Sequence, residues 1–133
     1  MTQIKSFQDI LAWQRAHELV LLIYKITEIS YPKSEEYCLK SQIRRCAISI
    51  PSNIAEGFKR RSKKDCIHFY NIADASLEEL KYQTILSKDL HYFSGVQYHQ
   101  IMELSNEVGK LLCGWAKAQK ALFQNCSVVL CPA

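Results

Sequence analysis

A bundle of four long antiparallel helices in up-down-up-down order, an all-α fold, is what this amino-acid sequence predicts, on three grounds. Its 133 residues include only 4 Gly and 3 Pro, a composition poor in turns and therefore rich in long regular elements. Apolar residues recur at spacings of three and four in four separate stretches, as they do on helices with one buried face. The connections between those stretches are short, which forces consecutive helices to run antiparallel. With 48% hydrophobic and 23% charged residues the composition is globular, and a chain of this length suits one domain that hides roughly two-thirds of its unfolded surface.

The first helix opens at Ser6, three residues before Asp9 in a capping-box pattern, and carries Trp13, Ala16, Val20, Ile23 and Ile26 or Thr27 before ending near Ile29, ahead of Pro32. The second opens at Ser34, with Glu35 and Glu36 in the first turn where acids complement the helix dipole, and buries Leu39, Ile43, Cys46, Ile50 and Ile54. Pro51 falls inside that pattern. An interior proline removes a backbone hydrogen bond at a cost of about 3 kcal/mol, yet the apolar phase continues across it, which predicts a kinked helix rather than two. Gly57 then marks the approach to its end. Ser62 with Asp65 repeats the capping pattern and starts a third helix bearing Phe69, Ala73, Ser76 or Leu77, Leu80 and Thr84, which reaches about Tyr92 before Gly95 permits a turn. In the fourth helix Ile101, Leu104, Val108, Leu111, Trp115, Ala118 and Leu122 alternate steps of three and four, the heptad seam of bundle packing. The bundle domain is expected to span residues 1–123. Residues 124–133, apolar at Val128, Val129 and Leu130, form a tail to which the pattern assigns no structure.

The N-terminal residues Met1 to Lys5 are polar and lack the apolar core of a signal peptide. The longest apolar run, Leu19 to Tyr24, falls far short of the roughly 18 residues that span a bilayer. These features predict a cytoplasmic protein without a membrane span, in which the six cysteines, none in a Cys-x-x-Cys pair, are reduced and mostly structural. The Leu19–Tyr24 run also encircles its helix at about 100° per residue, whereas a helix in a lone bundle keeps a polar side. Together with Ala47, Ile48 and Ile50 on the second helix, it predicts a homo-oligomer.

Enzymatic chemistry finds little support. A di-iron bundle needs two Glu-x-x-His pairs and two further inward glutamates. This chain offers a single Asp65-x-x-His68 and a row of His99, Glu103 and Glu107, whose two glutamates flank the fourth-helix seam and should face water. No metal and no cofactor are expected. Cys66 stands in a first helical turn beside Lys63 and Lys64, where dipole and cations lower a thiol pKa. His68 lies two residues on, at another side of the helix, so nothing completes a nucleophilic set and core packing is the expected role.

The richest signal is charge. Lys59, Arg60, Arg61, Lys63 and Lys64 place five cations in six residues of a chain whose total is +4, so everything else carries one net negative charge. Lys59 and Arg60 complement the dipole at the end of the second helix. Lys63 and Lys64 oppose that of the third, at about 0.3–1 kcal/mol each. An anionic partner accounts for them. The expected function is nonspecific binding of RNA or DNA by phosphate contact, with Arg44, Arg45 and Lys40 on the second helix as auxiliaries. The alternative is an adaptor that binds a protein partner and merely solvates this turn.

The string Gln42-Ile43-Arg44-Arg45-Cys46-Ala47-Ile48-Ser49-Ile50-Pro51-Ser52-Asn53-Ile54-Ala55-Glu56-Gly57 resembles the signature of the "four helix bundle protein" family, whose members are often encoded in intervening sequences of large-subunit ribosomal RNA genes. Phe7, Leu11, Trp13 and Ala16 resemble that family's opening helix, and Ile72-Ala73 with Ser76-Leu77-Glu78-Glu79-Leu80 its third. The similarity covers about residues 6 to 120. It implies a four-helix subunit, assembly into a closed pentameric ring and no established enzymatic activity. Of the residues in the string, Pro51, Asn53, Glu56 and Gly57 are expected to be structural, because proline frees backbone groups that Asn53 and Glu56 can satisfy. Glu56 could also meet Arg44 or Arg45 of a neighbouring subunit. More distantly, the chain is similar to the basic accessory proteins of diversity-generating retroelements, which bind nucleic acid and a reverse transcriptase.

Overall fold

The structure, a computed structural model, describes residues 3–129, with side chains as far as Leu122. Four helices carry it: α1 (Leu11–Ser30), α2 (Leu39–Lys59), α3 (Lys63–Asp89) and α4 (Gly95–Val129), with single 3-10 turns at Phe7–Asp9 and Lys33–Glu35. No strand occurs among the described residues. Residue numbers rise on one helix as they fall on the next. Ser49 meets Ser76 and Gly57 meets Tyr70 across α2 and α3, while Leu77 meets Gly109 and Tyr70 meets Trp115 across α3 and α4. Each helix packs on its sequence neighbours and α4 closes against α1, the antiparallel four-helix bundle that the apolar periodicity predicts. Leu19, Ile23, Ile43, Ile50, Ile54, Leu77, Leu80, Ile101 and Val108 are fully buried along its axis.

The helix ends depart from the predicted ones for local reasons. Ser6 does build a capping box, with its Oγ accepting from Gln8 N–H at 3.0 Å and Asp9 accepting from Ser6 N–H at 3.1 Å, but the box closes a 3-10 turn, and α1 starts after extended Ile10. Ser34 does not open α2. Its 3-10 turn is separated from the helix by residues 36–38, the last of which, Cys38, has a φ of −117° and a ψ of −106° that are not helical. Glu35 still reaches forward, accepting from Leu39 N–H at 3.5 Å.

The turn after α3 owes its sharpness to His91 and not to Gly95. α3 ends at Asp89, and His91 takes φ 65° while its N–H donates to Lys88 O and that of Tyr92 donates to Ser87 O, a Schellman closure built on a non-glycine residue. Gly95 is the first residue of α4, preceded by a capping box in which Ser94 Oγ accepts from Gln97 N–H and Gln97 accepts from Ser94 N–H. A left-handed conformation costs an ordinary residue roughly 1–2 kcal/mol, and glycine gives back about 0.5–1 kcal/mol in backbone entropy. His91→Gly is therefore expected to stabilise the protein by about 0.5–1 kcal/mol, read as a higher urea midpoint at unchanged slope. A lower midpoint would show that the imidazole supplies contacts worth more than the strain.

α2 runs unbroken through Pro51, which is buried. Asn53 bonds back within the same turn, but not to the carbonyl of Ala47, the one that Pro51 leaves without its donor. Its Nδ2 donates to Ser49 O at 2.7 Å and to Ser49 Oγ at 3.0 Å, and Ser49 Oγ in turn meets Ser76 Oγ at 2.9 Å, tying the proline turn to α3. Glu56 has a different place: it is exposed and meets Arg60 at 3.8 Å rather than a freed backbone group. Gly57 lies inside the helix, and no glycine among the described residues has a positive φ, so it does not end α2. α2 ends two residues later, at Lys59, so Gly57 does mark the approach to its end; it is buried where α2 touches α3, and a Cβ there would lie 2.6 Å from Tyr70 Cε1.

In α4 the fully buried positions are Ile101, Ser105, Val108 and Leu112, with Leu104, Leu111 and Trp115 half-buried and Ala118 and Leu122 exposed. A strict heptad drifts around a straight helix by about 20° per repeat. In addition, α4 with 35 residues is about 52 Å long against about 40 Å for the 27 residues of α3, so its last turns outrun their neighbour. Residues 124–129 thus continue α4, and 130–133 lie outside the described residues. Among the described residues no helix is long and apolar enough to cross a membrane.

Candidate nucleic-acid interface

Three residues, 60–62, join α2 to α3, and the cations sit on both sides of the join. Arg60 caps α2 through its backbone N–H to Gly57 O, and its guanidinium lies 4.6 Å from the centre of the Phe69 ring. With Glu56 at 3.8 Å and both side chains about half exposed, that ion pair is weak. Arg60 is thus partly engaged in packing. Ser62 caps α3 by accepting from Asp65 N–H at 3.1 Å, as its position predicts. Lys59, Arg61 and Lys64 are exposed and Lys63 half-buried, and none of these four takes part in an ion pair among the described residues.

The auxiliaries on α2 are not part of this cluster. Arg44 clamps α2 to α1: Nε donates to Thr27 Oγ1 at 2.9 Å, the guanidinium reaches Glu28 at 3.1 Å and stacks 4.3 Å over the Tyr24 ring. Lys40 is paired with Glu36 at 3.0 Å and its side chain is only 12% exposed. Arg44 has structural work that the sequence alone does not disclose, because its partners lie on α1, whereas the partner of Lys40 is only four residues away. Arg45 is exposed and outside any ion pair of the described residues, but it stands 14 residues from Lys59, about 21 Å along the helix.

Two cations escaped the sequence reading. Trp115 on α4 packs near Phe58 and Tyr70, which sets its level at the basic end of the bundle. Lys117 and Lys120 are exposed about 3 and 8 Å farther along the same helix, level with the start of α3. The antiparallel register is the signal that locates them, and it requires the tertiary pairing.

Cys66 is no activated thiolate. It is buried, its Sγ donates to Arg60 O at 3.4 Å, and burial pushes the thiol pKa up, against the direction that dipole and lysines alone would give. Burial also pushes Cys46, Tyr31 and Tyr70 each up to about 12. In the unfolded chain these groups release protons from about pH 9 to 10. The native state then holds protons that the unfolded state has lost, so stability is full below pH 9 and falls as pH rises toward 12. Urea midpoints at pH 8, 9.5 and 10.5 should descend in that order, and a flat series would contradict the burial of these groups. His99, Glu103 and Glu107 are all exposed, with Glu107 3.0 Å from Arg15, and no group of three or more His, Cys, Asp or Glu is placed to hold a metal among the described residues.

Fold and turn together define a small all-helical bundle with four cations outside any ion pair of the described residues, Lys59, Arg61, Lys63 and Lys64, at one inter-helix turn. A family model described as 23S rRNA-intervening sequence protein matches residues 8–114, and the chain belongs to that family. Among solved structures, the crystal structure of a protein of unknown function from the S23 ribosomal protein family of Bacteroides thetaiotaomicron is similar, with 28% identity and a TM-score of 0.74. The similarity covers 80% of this chain and 99% of that one. No curated protein matches.

Proposed function

We propose that this chain is a non-enzymatic, cytoplasmic, oligomeric accessory protein that binds RNA or DNA nonspecifically through the turn from Lys59 to Lys64. One observation carries the reading. Lys63 and Lys64 stand in the first turn of α3, against its dipole, and no carboxylate among the described residues pairs with either. Phosphates are the counter-charge that such a cluster recruits, and they bind without base readout. The family description, which names a ribosomal RNA gene context, is in keeping with this.

Oligomerisation rests on the exposed apolar side chains Leu21, Tyr24 and Ile48. Ala47 and Ile50 add nothing to that surface, since both are buried within the subunit. A ring, pentameric as the family resemblance implies, would repeat the basic turn around one rim and convert weak single contacts into avid ones. The second reading, an adaptor for a protein partner, rests on the same apolar surface, with the turn serving only solubility.

The deciding experiment is fluorescence anisotropy of labelled single-stranded and duplex RNA and DNA across a salt series, with subunit number from light scattering in the same buffer. Phosphate binding weakens steeply with salt, whereas apolar docking does not. Absence of binding at low salt would leave the adaptor reading in possession.

A further inference from the structure

An open cleft of about 420 Å³ lies between the C-terminal half of α1 and the start of α2, with Tyr24, Tyr37, Lys40, Arg44 and Arg45 on its walls. Tyr37 is the anomaly there. Aromatic rings dominate the energetics of cores and interfaces because they bury large areas, yet this one is 91% exposed and forms no aromatic pair or hydrogen bond among the described residues. The cations beside it are not equivalent. Arg44 and Lys40 are engaged as described, and the Glu36 on the same wall is held by Lys40, which leaves Arg45 as the uncommitted charge next to an uncommitted ring.

Arg45, Ser52 and Lys59 follow one another at intervals of seven, so they form one exposed stripe along α2. That stripe leads from the cleft to the basic turn. We propose that it carries one single-stranded nucleic acid, with phosphates on Arg45 and on the Lys59–Lys64 turn and a base stacked on Tyr37. This rests on the function proposed for the turn and adds the class of ligand. Unpaired bases offer a free face to an aromatic ring, while those of a duplex are already stacked on one another. The strand preference is therefore for single over double.

The test compares Tyr37→Ala and Tyr37→Trp with the native chain by anisotropy on a labelled single strand and a duplex of equal length. Tyr37→Ala should weaken single-strand binding roughly 5- to 150-fold, the range for loss of one stacked base. Duplex affinity should stay within about twofold and the salt slope should not change, since no phosphate contact is lost. Tyr37→Trp should restore binding. If Tyr37→Ala binds the single strand like the native protein while charge reversal at the turn abolishes binding, this inference falls and the function proposed for the turn stands. An equal loss on single strand and duplex also overturns it, as does a changed oligomer mass for Tyr37→Ala, which would assign the ring to a subunit interface. If the turn variant binds as the native chain does, both proposals fall together.

Discussion

Replacing Gly57 with alanine is expected to destabilise the bundle by about 1–3 kcal/mol, the range for overpacking a well-filled core. The sign is the informative part, because inside a helix glycine-to-alanine normally gains up to about 1 kcal/mol from helix propensity. At Gly57 a Cβ would stand 2.6 Å from Tyr70 Cε1, 3.0 Å from Tyr70 Cδ1 and 3.2 Å from Phe69 Cβ. Tyr70 is 2% exposed and lies edge-on to Trp115 across α4, so its ring has nowhere to retreat. The close approach of α2 to α3 depends on the missing methyl. Gly114 supplies the opposite case: it is exposed in α4, a Cβ there would meet nothing within 4 Å, and Gly114→Ala should raise stability by up to about 1 kcal/mol. Urea denaturation of the two variants should thus move the midpoint in opposite directions. Tyr70→Leu combined with Gly57→Ala should cost less than the two changes added, because the shorter side chain removes the collision. A Gly57→Ala protein as stable as Gly114→Ala would refute the packing argument.

Charge reversal at the turn should eliminate nucleic-acid binding while leaving the bundle folded. The variant Arg61→Glu, Lys63→Glu, Lys64→Glu spares Arg60, whose guanidinium packs on Phe69. Glutamates at positions 63 and 64 fall in the first turn of α3, where negative charge is favoured by about 0.3–1 kcal/mol each, so the fold should lose nothing. Three cations become three anions on a strand of phosphates, and binding should drop below detection at moderate salt. In the native protein, four or five phosphates engaged per subunit predict a logarithmic salt slope of roughly −3 for single strands. A shallow slope, or unchanged affinity in the reversed variant, would transfer the case to protein docking on Leu21, Tyr24 and Ile48.

In the otherwise native chain, Lys117→Ala with Lys120→Ala should weaken binding only if α4 shares the same face of the bundle end. That contrast shows where local sequence information stops. Periodicity and capping act within a turn or two of helix, so four helices, the buried phase of α2, the Ser62 cap and the basic cluster could be read from residues 6 to 122 without coordinates. The same local logic places the end of α2 within two residues of Gly57 but does not disclose that this glycine makes room for Tyr70, and it fails at Gly95, which opens α4 while His91 takes the left-handed turn.

By itself, then, the amino-acid sequence determined the fold class, the order of the elements and the place of the charge, because each depends on spacings of three, four and seven along one chain. The tertiary structure alone decided which cations are uncommitted. Arg44 looks like its neighbour Arg45 in sequence, yet Thr27 and Glu28 on α1 claim it. It likewise decided that Tyr37 stands clear of the core and that Lys117 and Lys120 share a level with the turn, because side chains far apart in sequence meet only once antiparallel helices have set their register.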